Sequence, residues 1–235
     1  MMPDMEALGY SVRTEGSLTL IYRPFLPQLW PTARTGGPMG AETSMSGRSP
    51  IRIIEPDMVV RTLMHGGAFR HITGTRFLGY RRTMREIRVS AHLASHGVPT
   101  PEILAVRLLK KGIFYNIDVV TRLVPDSMDL LTYLEEPRQD SAGQFRKAGR
   151  LIRQVHELGV FHMDLHIKNL LLDSSGRLWV LDLDKAYRLN VLPGFMKRMN
   201  LKRFTRSVVK WQDKGRIFIT DRWLENFRAG YSGTG

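Results

Sequence analysis

His162-Met163-Asp164-Leu165-His166-Ile167-Lys168-Asn169, followed by Leu170-Leu171-Leu172-Asp173-Ser174-Ser175-Gly176-Arg177-Leu178-Trp179-Val180 and then Leu181-Asp182-Leu183-Asp184, is the stretch that decides the fold. Asp164 and Asn169 lie five apart on one loop, close enough for a carboxylate and an amide oxygen to face the same space. The Asp-Ser-Ser-Gly turn between two short apolar runs predicts a β-hairpin by its turn chemistry. A hairpin returns the chain to where it started, so Asp182 is expected beside Asn169. Three oxygen-bearing side chains from two loops then converge. A His-x-Asp pair alone is common, and an Asp after an apolar strand is usually a strand-end cap. The loop, hairpin and acidic pair occurring together and in this order carry the signal.

That order matches the catalytic loop of kinase-fold phosphotransferases, H-x-D-L-x-x-x-N, with Asp182 in the place of the metal-holding Asp of D-F-G. Phosphoryl transfer needs a carboxylate at the acceptor hydroxyl, and an amide oxygen and second carboxylate on Mg²⁺. The reading is therefore catalytic Asp164, with Asn169 and Asp182 as metal ligands and Asp184 added by proximity. Lys168 is placed to offset charge on the transferred group. His162 is expected to hold the loop by hydrogen bonds rather than move protons. His166 is not read as a metal ligand, because no second His stands at ligand spacing.

The 235 residues suffice for one large domain or two lobes, and 43% hydrophobic content supports a sizeable core. With no cysteine, disulfides, Cys-based metal sites and Cys nucleophiles are excluded. No signal-peptide core follows Met1, and no apolar run has the length of a membrane span. A net charge of +13 favours anionic partners: nucleic acid, anionic lipid or a phosphorylated substrate.

Along the chain, Ser17 to Tyr22 alternates as a strand does, and Pro31 to Pro50 reads as a Gly/Pro/Ser/Thr-rich loop. Ile51–Ile54 and Met58–Met64 predict two strands. Arg81 to His96 predicts a helix with Met84, Ile87 and Ala91 on one face, stopped by Gly97, Pro99 and Pro101. Ile103–Leu109 and Ile113–Leu123 predict an antiparallel pair. After Pro125 the pattern turns helical, at Met128–Glu135 and Ala142–Leu158. The expected fold is thus α+β and two-lobed, protein-kinase-like, with a strand-rich N-lobe over 1–124 and a reduced helical C-lobe over 125–235. Leu123 to Pro125 would be the hinge contacting adenine.

A kinase-type first lobe should carry a phosphate-covering turn, a strand cation and a helical Glu. Gly47-Arg48-Ser49 is the candidate turn, although such a tripeptide is more often only a turn. Arg61, in Val59-Val60-Arg61, stands where V-A-I-K has Lys, and Glu86 is its natural partner. Between Asp184 and Gly235 no Ala-Pro-Glu anchor occurs, so a compact enzyme acting on a small molecule or sugar is expected rather than a eukaryotic-type protein kinase. Lys197 to Arg216 is crowded with Lys and Arg against a single acid, Asp213. Leu201, Phe204, Val208 and Trp211 form an apolar helical stripe there, leaving Lys202, Arg203, Arg206 and Lys210 as a basic face that could meet lipid phosphates, with Arg81, Arg82, Arg85 and Arg88 adding to the field.

From about Gly47 to Tyr231 the chain resembles the bacterial lipopolysaccharide core kinases, and among them those of 3-deoxy-D-manno-octulosonic acid (Kdo). The resemblance rests on Val60-Arg61 before Gly66-Gly67, on Glu86, on Gly97-Val98-Pro99-Thr100-Pro101-Glu102, on Gly149-Arg150-Leu151-Ile152-Arg153-Gln154-Val155-His156, on the catalytic loop and on Leu181-Asp182-Leu183-Asp184-Lys185. Arg in the strand-Lys place fits that pattern. The chain departs from it at Thr62, Leu63, Met64 and His65 and in the long loop before Gly47. The resemblance implies transfer of the γ-phosphate of ATP, with Mg²⁺, to a hydroxyl of Kdo on lipid A. It further implies a peripheral position on the cytoplasmic face of the inner membrane, with Kdo–lipid A and an anionic membrane surface as partners and no nucleic acid. The alternatives are a heptose kinase, a minimal protein or antibiotic kinase, and a catalytically silent kinase fold binding anionic lipid or RNA.

Overall fold

The computed structural model describes residues 4–35, 39–43, 51–54, 56–63, 77–137 and 140–233. They form two compact units, Met1–Ala91 with Glu102–Leu123, and His92–Pro101 with Val124–Gly235.

The first unit runs α1 (Asp4–Ala7), β1 (Ser11–Glu15), β2 (Leu18–Tyr22), α2 (Leu29–Arg34), β3 (Ala41–Thr43), β4 (Ile51–Ile54), β5 (Met58–Thr62) and α3 (Arg81–Ser95) as far as Ala91, then β6 (Ile103–Lys111) and β7 (Phe114–Arg122). Its seven strands form one antiparallel sheet in the order β1-β2-β6-β7-β5-β4-β3. The central strands are apolar at consecutive positions because both faces are covered. Ile21, Val106 and Val119 pack with Met84 and Ile87 of α3. Their neighbours Leu20, Ala105 and Val120 pack on the other side with Leu29, Trp30 and Ala33 of α2. Arg107 and Asp118 are direct partners across β6 and β7. Their side chains are only 6% and 3% exposed, and the Arg107 Nε–H donates to Asp118 Oδ2 over 2.7 Å.

One expectation fails here. The loop read over Pro31 to Pro50 begins inside a helix and contains a strand: Leu29–Arg34 is α2, and Ala41–Thr43 pairs with β4. Pro31 sits in the first turn of α2, where its missing N–H has no intrahelical acceptor to lose.

The second unit continues with β8 (Met128–Asp129), α4 (Leu130–Leu134), α5 (Ser141–Glu157), β9 (Val160–Phe161), β10 (Leu170–Leu172), β11 (Leu178–Val180), β12 (Tyr187–Arg188), α6 (Gly194–Asp213) and α7 (Trp223–Ser232). The helix expected from Met128 starts two residues later. Met128 and Asp129 pair instead with β10, and the Asp129 carboxylate accepts the Thr132 N–H as the cap of α4. Helices α5 and α7 cross at Gly149 and Gly230, where an added Cβ would overlap the backbone of Phe227 or Arg146. Beside this crossing His156 joins three helices: its Nδ1 meets the Tyr231 hydroxyl at 2.9 Å and its Nε2 the Asn200 Oδ1 at 3.1 Å.

Candidate active site

The stretch 162–169 leaves β9, turns once through a short 3₁₀ segment at Ile167–Asn169 and enters β10. The expected hairpin β10–β11 forms, with Leu170 opposite Val180 and Leu172 opposite Leu178. Asp173 organises its turn. One carboxylate oxygen accepts the N–H groups of Ser175 and Arg177, each at 2.9 Å, and the other accepts the Trp179 indole N–H at 2.8 Å. Burial alone would raise its pKa, but the Ser175 hydroxyl together with these bonds outweighs that and holds it below the usual carboxylate range.

His162 is buried and binds both sides of the loop. Its Nε2 lies 2.8 Å from the Leu181 carbonyl, and the Asp164 N–H points to its Nδ1 at 3.3 Å. A carbonyl only accepts and an amide N–H only donates, so the ring is neutral with its proton on Nε2. Burial pushes its pKa below the ordinary imidazole value, which favours that form. His162 therefore ties the residue before Asp182 to the loop that carries Asp164, as expected of a structural histidine.

Asn169 donates from Nδ2 to the Asp164 carbonyl at 2.9 Å. The Leu181 N–H bonds the Asn169 carbonyl at 2.9 Å, placing Asp182 next in the chain after a residue fixed to Asn169. Asp182 itself has φ 58° and ψ 59°, the left-handed region. A non-glycine residue held there costs on the order of 1 kcal/mol, and such outliers cluster at functional sites. Asp184 is buried one turn on, in a second 3₁₀ segment. An amide oxygen and a carboxylate are the kind of hard donors Mg²⁺ takes. Among the described residues no group of three or more His, Asp or Glu side chains gathers into a denser metal cage.

Asp164 is half exposed, with the Arg203 guanidinium 3.7 Å from Oδ1 and His166 Nε2 3.9 Å from Oδ2. Arg203 comes from α6, a helix whose role the pattern did not disclose. The buried line of α6 is Met196, Asn200, Phe204 and Val208, whereas Leu201 and Trp211 of the expected stripe are half-buried. Asn200 accepts the His162 N–H at 3.2 Å and donates to the His162 carbonyl at 2.8 Å. Arg203 also donates to the Met163 carbonyl, and the Ser207 hydroxyl oxygen accepts the Ile167 N–H at 3.0 Å. Trp211 faces Lys168, whose Nζ is 5.1 Å from the ring centroid. At i, i+3, i+7 and i+11, then, one face of α6 grips the loop at 162, 163, 167 and 168. The basic face expected to be free for a membrane is partly this cradle. Arg203 is spent on the loop, while Lys202 and Arg206 stay exposed.

In the first unit, Arg61 Nη2 lies 2.5 Å from Glu86 Oε1, joining β5 to α3 as the sequence anticipated. Glu86 is buried and Arg61 is about one-third exposed. The candidate turn Gly47, Arg48 and Ser49 lies outside the described residues.

Comparison with known proteins follows the same lines. Residues 43–231 match the family described as the lipopolysaccharide kinase (Kdo/WaaP) family. The chain is 32% identical over 189 residues to a 3-deoxy-D-manno-octulosonic acid kinase of Vibrio cholerae serotype O1, covering 78% of each protein. It is 27% identical over 217 residues to the enzyme of that name from Xylella fastidiosa, covering 89% of this chain and 84% of the other. Among solved structures, that of WaaP in complex with acyl carrier protein superposes with a TM-score of 0.64 over 92% of this chain and 89% of that one, at 19% identity. At that identity the likeness is one of fold, and the fold is the protein-kinase-like α+β one expected.

Proposed function

The chain belongs to the lipopolysaccharide kinase (Kdo/WaaP) family, so it is a phosphotransferase acting on a sugar hydroxyl, and from that premise we propose that its acceptor is Kdo on lipid A. ATP is the donor the kinase family implies. The observation that carries the reading is the catalytic loop: Asp164, Asn169 and the Leu181–Asp182 step tied together by the His162 ring, the Asn169 side-chain amide and one backbone bond.

In this reading the acceptor oxygen forms a bond to Pγ as the bond from Pγ to the β-bridging oxygen breaks, releasing ADP. Asp164 takes the hydroxyl proton, with Arg203 and His166 at its two oxygens to orient it. Arg61, braced by Glu86, holds nucleotide phosphates. Gly47, Arg48 and Ser49 remain the proposed covering turn. Asn169 and Asp182 would hold Mg²⁺, with Asp184 in support, and the ion would neutralise phosphate charge. Lys168 contributes a further cation.

Peripheral attachment at the cytoplasmic face of the inner membrane is part of the proposal. No helix among the described residues is long and apolar enough to cross a membrane. The start of α6 exposes Phe195 and Met199, with Val191 just before it, at 57%, 50% and 79%. Arg198 and Lys202 flank them, and apolar side chains rimmed by cations suit an anionic interface.

The test is mass spectrometry of Kdo–lipid A incubated with the protein, ATP and Mg²⁺, beside an Asp164→Asn variant. A gain of one phosphate, reduced about 10²-fold or more in the variant, is the expected result. An unmodified lipid with a wild-type protein that binds ATP would reject Kdo as acceptor, and heptosylated core would be tried next.

A further inference from the structure

The last rung of α6 gathers four cations around one indole. From the Trp211 ring centroid, Lys168 Nζ is 5.1 Å away, Lys214 Nζ 5.3 Å, the Arg216 guanidinium carbon 5.5 Å and Lys210 Nζ 5.6 Å. Three of the four come from the end of α6 and the turn beyond it. The fourth, Lys168, belongs to the catalytic loop, between Asp164 and Asn169. Arg216 is engaged by Glu135. Contact with the indole face holds cations in place but leaves their charge intact. Lys210 lies in the last turn of α6 and Lys214 caps its C-terminus, four residues on, a spacing at which like charges repel. A cluster assembled against that repulsion attracts a compact anion.

A phosphate monoester carries close to two negative charges and three acceptor oxygens, which ammonium and guanidinium donors satisfy. We propose that the Trp211 cluster is a docking subsite for a phosphate group carried by the acceptor, with Lys168 as its edge toward Asp164. This rests on the kinase reading above. That reading gives the acceptor hydroxyl to Asp164, and Lys168 stands four residues further along the same loop, so an anion held there is assigned to the acceptor. The subsite would select acceptors that are already phosphorylated at a distance from the reacting hydroxyl.

The test reverses charge at exposed positions outside the catalytic set, Lys210→Glu with Lys214→Glu, in the full chain and with detergent-solubilised acceptor. With phosphorylated Kdo–lipid A, KM is expected to rise about tenfold or more while kcat and KM for ATP stay within about twofold. With acceptor stripped of its pre-existing phosphates, the wild type should show the raised KM and the variant should lose nothing further. An equal rise for both acceptors, or no rise for either, overturns the proposal. So does an effect seen on anionic vesicles and absent in neutral detergent, which would assign the cluster to the lipid surface. If the wild type phosphorylates neither acceptor, the kinase reading fails separately. The subsite is then judged by quenching of Trp211 emission with glucosamine 6-phosphate, taken as the difference from Trp211→Phe. Saturable quenching lost in the Lys variant supports it, and its absence overturns it.

Discussion

Arg61 is where stability and the proposed nucleotide site meet. Its guanidinium pairs with a Glu86 carboxylate that is nearly buried, so the pair stabilises the β5–α3 contact before any nucleotide binds. Arg61→Ala removes the cation and is expected to destabilise the protein by about 2–4 kcal/mol as well as to weaken ATP binding. Arg61→Lys keeps the charge but loses the planar fork, so a single ammonium must serve both Glu86 and phosphate. The expected outcome is a near-native melting temperature with KM for ATP raised several-fold. Calorimetry and ATP titration read the two effects apart, and an unchanged KM in Arg61→Lys would remove Arg61 from the nucleotide site.

At the scale of elements, what could be read from the sequence was whatever local chemistry determines. The β10–β11 hairpin follows from Asp173 to Gly176, and α3 from its apolar period and the Gly and Pro after it. The role of α6 could not be read that way. Asn200, Arg203 and Ser207 look like polar residues on an amphipathic helix, and nothing local says that their partners are the backbone groups of residues 162, 163 and 167. Asn200 is fully buried on a line otherwise apolar, a sign visible only once the helix is docked. Helix α2 escaped notice because Pro31 resembles a breaker, and it is one only beyond the first turn. The cradle can be tested with Asn200→Asp. The change keeps the acceptor toward the His162 N–H but sets a carboxylate oxygen against the His162 carbonyl, where an amide N–H stood. Two acceptors then face each other in a buried site, with a cost of about 3 kcal/mol or more. The expected result is a lower melting temperature and a kcat reduced about tenfold with KM for ATP held within about twofold. A loss of stability with normal kcat in the folded fraction would make Asn200 a packing residue only.

Across the whole molecule, charge bears on the proposed membrane contact and on the pH range of the fold. The net charge of +13 adds long-range attraction to the exposed Val191, Phe195 and Met199, so binding to anionic vesicles should weaken with salt. Phe195→Ser with Met199→Ser should lower vesicle binding in flotation while sparing turnover of detergent-solubilised acceptor; unchanged flotation would place the contact elsewhere. Stability has an alkaline edge in the first unit, where burial pushes the Tyr10 phenol up to about 12, so that its contribution is lost as pH rises from 10 toward 12. The acid edge lies in the second unit. Burial takes His156 from 6.5 down to about 4, against a smaller opposing effect of its bond to Asn200. The unfolded chain therefore takes up this proton first, and the stabilisation is complete above about pH 6.5 and lost progressively as pH falls toward 4. The full difference is roughly 3 kcal/mol. Burial lowers His162 and His92 in the same direction, which steepens the same window. Between pH 7 and 5 the melting temperature should fall by roughly 5 °C, and by less in His156→Gln, which cannot be protonated there. If His156→Gln shows the same pH slope as the wild type, the acid edge belongs to other groups, and the three-helix junction at Asn200 and Tyr231 does not set it.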